Sequence, residues 1–409
     1  MGAEHQNRRT VWQRPISRAR VAPYLLLLLL LPLSLLQFRI TAHWLADEIA
    51  PPAGMSRSQI RDQASADFQT FRMAGIAVRN YRAAQDYAPP TGSTQRQRVG
   101  PRGEKWYYPP PTFLITPLAT LGGFRLGFAA WTVGLLLIAI GVLRWSGLAW
   151  VPIALGLTAP ASIWSLNLGQ LGLATGAAFF ASLLMLDRQP MRAGAVIGAL
   201  ILKPQAALIS PVVLLAARRY RSFAAAALVV IGLAGLTSLV CGWPVWRAFL
   251  TAGMASQRHV LFAPFPAGGQ IWGASIFWML RSFRLSVPIS VAGQLLGSLG
   301  AILWAFRLWR ARRLDRLSCA TITVMLTLLL TPYAYTTDLC GYSLAIAALA
   351  WQRRRLELAD VILLMWPAAC PYIAILLHIE ITPIFIIWAA WRARLGSLRV
   401  VPDFQPVIA

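Results

Sequence analysis

The chain has 409 residues, of which 57% are hydrophobic and only 13% charged, and its mean hydropathy is +0.58. Soluble domains carry about 25% charged residues, so this composition excludes a water-soluble globule and points to an all-α polytopic membrane protein. The formal charge of +24 does not point to nucleic acid, because the arginines fall in short runs between apolar segments rather than on one folded face.

Residues 1–21 form a basic tail holding Arg8, Arg9, Arg14, Arg18 and Arg20. The leucine run from Leu25 to Leu36 follows. No small-residue cleavage site comes after it and Gln37-Phe38-Arg39 extends it, so 22–40 reads as a retained first transmembrane helix that leaves the cytoplasm. Residues 41–123 are then a large extracytoplasmic loop with interfacial helices. Its polar stretch from Ala66 to Pro111 is the only long interruption of apolar sequence.

Two readings of Asp67 stand side by side. The pattern predicts a helix over 67–80, and an aspartate at its start would serve as an N-cap. The other reading is a general base, a carboxylate within hydrogen-bond reach of an acceptor hydroxyl. Asp62 and Asp86 are nearby carboxylates, and Asp86, in a polar turn before Tyr87, reads as structural. The run Tyr107-Tyr108-Pro109-Pro110-Pro111 puts aromatics at the membrane interface and makes a stiff wall, since proline fixes its own backbone angle.

Residues 124–394 read as a multi-span domain. A crossing takes about 20 apolar residues, and short cytoplasmic loops carry the basic excess. Spans are expected at 124–143, 147–164 and 171–186, with Arg144 and Asp187-Arg188 inside and Ser165 to Gln170 outside. Asn167, Gly169 and Gln170 make a polar turn there, one that a tight turn alone would also explain. Arg192 and the group Arg218, Arg219 and Arg221 both belong inside, yet too little chain separates them for two full crossings. Two short re-entrant half-helices broken at Lys203-Pro204 resolve this, because proline ends a helix at or before the residue preceding it. Lys203 is one of two lysines in the chain, and an ammonium at such a break suits a phosphate-bearing ligand, or else snorkels to the interface.

The chain next crosses outward at 222–241. Residues 242–284 form a second outer segment with Arg247, Arg258 and His259. Further segments follow at 286–306, 317–333, 336–351, 359–377 and 381–391, and 395–409 is a cytoplasmic tail. The expectation is about 12 membrane segments with both termini inside. Thr331 to Asp338, with Tyr335 within it, falls at an outer boundary, so Asp67, Gln170, Lys203 and Asp338 are all expected on one side of the bilayer. Cys241, Cys319, Cys340 and Cys370 lack metal-ligand spacing and read as small core residues. With no Walker loop, GxSxG serine, HExxH or CxxC pair, nucleotide hydrolysis, acyl transfer by an elbow serine and zinc chemistry find no support.

Asp67-Phe68, Asp86-Tyr87, Tyr107-Tyr108-Pro109-Pro110, Gly169-Gln170, Lys203-Pro204-Gln205 and Pro332-x-x-Tyr335-x-x-Asp338 occur in the order seen in glycosyltransferase family 87. Over about 67–345 the chain resembles these integral-membrane enzymes of the GT-C superfamily, similar to polyprenyl-phosphate-mannose-dependent alpha-mannosyltransferases. The resemblance implies a lipid-linked sugar donor, a glycolipid or glycan acceptor, membrane lipids as surroundings, no nucleic acid, and neither metal nor other cofactor. It implies Asp67 as general base, Lys203 with nearby arginines to neutralise the departing phosphate, Gln170, Tyr107 and Tyr108 around the donor phosphate and lipid, and Asn167, Gln205, Tyr335 and Asp338 in support. It also implies an inner-membrane location with the site facing outward. Members often carry histidine after the proline of the last motif, where this chain has Tyr333. That role is not carried over, and His259 is the outer histidine best placed to compensate. A lipid-carrier flippase or polysaccharide transporter is the rival reading, since it too would place basic residues in a membrane cavity. A catalytically dead assembly scaffold is a third.

Overall fold

The computed structural model describes residues 57–87, 106–266, 268–311 and 313–397, together with the single residues 39 and 43. The expected first span at 22–40 lies, except for Arg39, outside the described residues, as do the basic tail, the side chain of Asp62 and all but three residues of 395–409. Among the described residues the fold is all-helical. No strand forms, and one isolated bridge joins Gly273 to Tyr335.

Helix α1 runs from Arg57 to Arg79. It starts ten residues before the expected point, because Arg, Gln and Ala upstream of Asp67 are good helix formers and no proline or glycine interrupts them. Asp67 therefore lies inside the helix and is not its N-cap. Phe68, Phe71 and Ala74 form a buried stripe at three-residue spacing. The helix ends in a Schellman arrangement: Arg82 N–H reaches Ala77 O at 2.8 Å, Tyr81 N–H reaches Val78 O at 3.0 Å, and Tyr81 takes the left-handed position with φ 55°. Short 3-10 turns at Ala83–Tyr87, Pro110–Leu114 and Thr116–Thr120 lead into the bundle.

The bundle comprises α2 Phe124–Trp145, α3 Trp150–Leu157, α4 Pro160–Asn167, α5 Gly172–Met185, α6 Pro190–Ala199, α7 Ser210–Ala216 and α8 Tyr220–Cys241. Then come α9 Pro244–Ala248, α10 Met254–Phe262, α11 Ile276–Ser282, α12 Val287–Ala311, α13 Arg316–Leu330, α14 Cys340–Arg353, α15 Leu358–Leu377 and α16 Thr382–Ser397. The expected span at 147–164 is two helices, because Pro160 supplies no N–H to continue α3 and instead starts α4. Helix α5 is the axis, packed by α2, α6, α13 and α14 and buried along nearly its whole length.

Among the described residues four helices, α2, α8, α12 and α15, are long and apolar enough to cross a membrane. The sequence suggests about twelve segments. However, α5, α13, α14 and α16 have 14, 15, 14 and 16 residues, short of the roughly 20 a crossing takes. Exposed leucines and isoleucines line the long helices, with Leu239 84% exposed, as lipid contact requires and water would penalise. Exposed Tyr220 opens α8 and exposed Trp243 follows its end, and the 22 residues between span about 33 Å, close to the thickness of a bilayer core.

Charge separates along the bundle axis. At the end where α5 finishes, Asp187 pairs with both Arg219 and Arg316. Buried Asp360 takes Arg353 at 2.7 Å and Arg392 at 3.0 Å, and Arg392 also reaches Glu357 at 2.8 Å. At the opposite end Glu380 closes the turn between α15 and α16, accepting the Thr382 N–H at 2.6 Å and donating its own N–H to Ser282 at 2.9 Å. Burial pushes its carboxyl from 4.5 up to about 7. The folded chain thus keeps a proton that the unfolded chain releases, and this contribution to stability is lost as pH rises from about 4.5 through about 7. Glu380→Gln is expected to flatten that part of the pH dependence of the unfolding temperature. An unchanged slope would assign it to another group.

Candidate active site

Asp67 is brought to its neighbours by backbone contacts. The Phe68 N–H donates to Leu168 O at 2.9 Å, which fastens α1 to the turn after α4. The Phe68 ring enters a box of Phe124, Phe128 and Trp131 at 5.4, 5.2 and 6.5 Å, and the Trp131 indole N–H donates to Gly169 O at 2.8 Å. Gly169 has φ 69°, and a Cβ there would lie 2.6 Å from that of Phe68. Only glycine satisfies both the left-handed backbone and the close approach. The turn therefore delivers Gln170 to the carboxylate on α1.

The side chain of Gln170 donates to Asp67 and accepts the Tyr108 hydroxyl at 2.5 Å. A phenol donating to the amide oxygen leaves the amide N–H groups for the carboxylate, so Tyr108 fixes which way Gln170 faces. Tyr108 is itself held by Phe71 stacking at 4.9 Å and by the Tyr87 hydroxyl donating to its carbonyl at 2.6 Å. Burial pushes the carboxyl of Asp86, beside Tyr87, up to about 7.

Lys203 sits where two 3-10 turns, Leu200–Leu202 and Pro204–Ala206, meet, and the proline prevents the first from continuing. Thr112 donates to Leu202 O at 2.6 Å and ties the break to the proline wall. The Lys203 ammonium is 3% exposed and forms an ion pair with Asp338. Asp338 is aimed by the turn from Tyr335: the Tyr335 N–H donates to its Oδ2 at 3.1 Å, and its own N–H donates to Tyr335 O at 2.8 Å. Backbone from Thr337 to Gly341 lies directly against Gly172 and Gly176, with no room for a methyl group at either glycine. A small-xxx-small pair on α5 signals that some neighbour comes close, and only the fold shows which one.

Burial raises the pKa of Asp67, while the Gln170 hydrogen bond and the charge of Lys203 pull it back. Lys203 therefore links Asp67 and Asp338 electrostatically. Burial chiefly, and then Asp67 and Asp338, keep the Tyr108 phenol protonated as a donor. The expected residues divide accordingly. Asp67, Tyr108, Gln170, Lys203, Tyr335 and Asp338 come together. Tyr107 stands at the rim, partly exposed, its carbonyl accepting from Gln257 at 2.6 Å. Asn167 ends α4 two residues before Gly169, and Gln205 follows the break, half-buried. His259 is exposed on α10, and among the described residues no hydrogen bond or ion pair joins its side chain to the cluster.

The family model for Glycosyltransferase family 87 matches residues 106–332, more than half of the chain. No curated protein and no solved structure matches it. The match holds Tyr108, Gln170 and Lys203, while Asp67 and Asp338 lie outside it and are joined to it by the contacts above. The chain belongs to glycosyltransferase family 87, and is a membrane glycosyltransferase.

Proposed function

We propose that the protein transfers a hexose, mannose in the first instance, from a polyprenyl-phosphate donor to a hydroxyl of a periplasmic or lipid-linked acceptor. The observation that carries this is Asp67, a carboxylate held by Gln170 in the field of Lys203, at the end of the bundle away from the arginine clusters. Short loops rich in arginine remain cytoplasmic, which puts Asp67 at the outer face of the inner membrane, beside the aromatic belt. A transporter would hold substrate groups near the midplane instead.

Asp67 takes the proton of the acceptor hydroxyl, whose oxygen bonds to the anomeric carbon. The bond to the phosphate oxygen breaks on the opposite face and its electron pair leaves with the phosphate. The anomeric carbon inverts, so a beta-linked donor gives an alpha product. Proteoliposomes given labelled polyprenyl-phosphate-mannose and a glycolipid acceptor should release the free polyprenyl phosphate and a labelled product. Failure with this and every other polyprenyl-phosphate sugar would remove the donor class.

The turn that positions Asp67 gives a further test. Gly169→Ala forces either the backbone or Phe68 to move, and a shift of about 1 Å in a catalytic group costs on the order of 10²-fold in rate. Transfer should fall by that order while the variant remains folded by thermal unfolding. A wild-type rate would mean that the turn does not position the carboxylate.

A further inference from the structure

Lys203 is the expected counter-ion for the donor phosphate, but its charge is already matched. Buried Asp338 pairs with it directly, and Asp67 lies within its field. With Asp67 ionised as a base, the three groups sum to one negative charge. A phosphodiester carries another, and the departing phosphate gains one more as the sugar leaves with the acceptor oxygen and the hydroxyl proton passes to Asp67. The cluster therefore repels the leaving group unless a further cation stands near it.

Helix α10 supplies one. Gln257 anchors the helix to the Tyr107 carbonyl at 2.6 Å, and Gln270 pins its far end through Val260 O at 3.0 Å and Ala263 O at 3.2 Å. Leu261 packs with Phe277 and Trp278 against Tyr333. Arg258, three residues earlier, shares that helix face. Its charge acts on the Tyr333 hydroxyl, and Tyr333 and Tyr107 in turn act on Tyr335, which neighbours Asp338. Arg258 is exposed and, among the described residues, forms no ion pair. Arg281, also in the outer segment, already donates to Leu285 O at 2.9 Å.

We propose that Arg258, on the helix face that meets Tyr333, binds the phosphate of the lipid-linked donor, and that Lys203 positions the two carboxylates. This rests on the donor class proposed above. A guanidinium suits the task because it grips two phosphate oxygens at once and stays charged at every physiological pH.

The test uses the full-length protein in lipid nanodiscs and measures binding of a polyprenyl phosphate against the matching uncharged polyprenol by native mass spectrometry. Wild type should prefer the phosphate. Arg258→Ala should weaken phosphate binding by about 10- to 100-fold, leave polyprenol binding unchanged and raise the donor KM more than it lowers kcat. Arg258→Lys should recover part of the loss. If Arg258→Ala keeps the wild-type preference while Lys203→Met abolishes it, the phosphate belongs to Lys203 and the inference fails although the donor class stands. If wild type shows no preference, both readings fall.

Discussion

Asp67→Asn is expected to lower sugar transfer by about 10²–10⁴-fold, the range that a positioned general base contributes. The amide has nearly the shape of the carboxylate and its oxygen still accepts from Gln170, so the helix and its turn should hold. Removing a carboxyl that burial disfavours as an ion should leave the unfolding temperature at or slightly above wild type. The comparison needs only labelled donor and both proteins at equal concentration, and equal turnover would end the assignment. The pH profile adds an independent arm. Burial lifts the Asp67 pKa, so the base is protonated and idle over a wider acidic range than an ordinary aspartate, and the rate should climb as pH rises through the lifted value. Gln170→Leu removes a hydrogen bond that favours the ion, so its acid limb should move to higher pH. A limb that stays in place in that variant would mean that another group controls it.

The second large effect concerns Lys203 and Asp338. Their side chains are 3% and 8% exposed, so screening by water is slight. Replacing one partner leaves the other charge buried without compensation, at about 3–5 kcal/mol. Lys203→Met and Asp338→Asn should each lower the unfolding temperature sharply. Combining Lys203→Met with Asp338→Asn should cost far less than the single changes together, because no buried charge remains. Additive losses would show that the two groups do not interact. Lys203→Met should also move the Asp67 limb to higher pH, since the ammonium helps to hold that carboxylate ionised.

Much of this arrangement was legible in the chain itself. A proline after Lys203 dictates a break wherever the helices lie, and the structure has one between Leu202 and Pro204. Alternation of arginine-rich turns with apolar segments put Gln170, Lys203 and Asp338 at a common end, and the structure gathers them there around Asp67. Boundaries of the long helices, such as Phe124–Trp145 and Tyr220–Cys241, follow the apolar runs closely.

Other features had no local signal. A cap and an interior helical position give Asp67 the same neighbours in sequence, and the earlier start of α1 decides between them. Arg258 reads as one more surface arginine until the packing of Leu261 beside Tyr333 gives its helix face a direction. Composition, apolar run length and proline placement are properties of short stretches of chain, so the sequence alone determined the membrane class, the helix breaks and the end where polar groups collect. Which ammonium meets which carboxylate, and how far two backbones approach at Gly169 and Gly172, depends on residues distant in sequence that meet only when the bundle closes, so the tertiary structure alone decided the Lys203–Asp338 pair and the setting of Asp67.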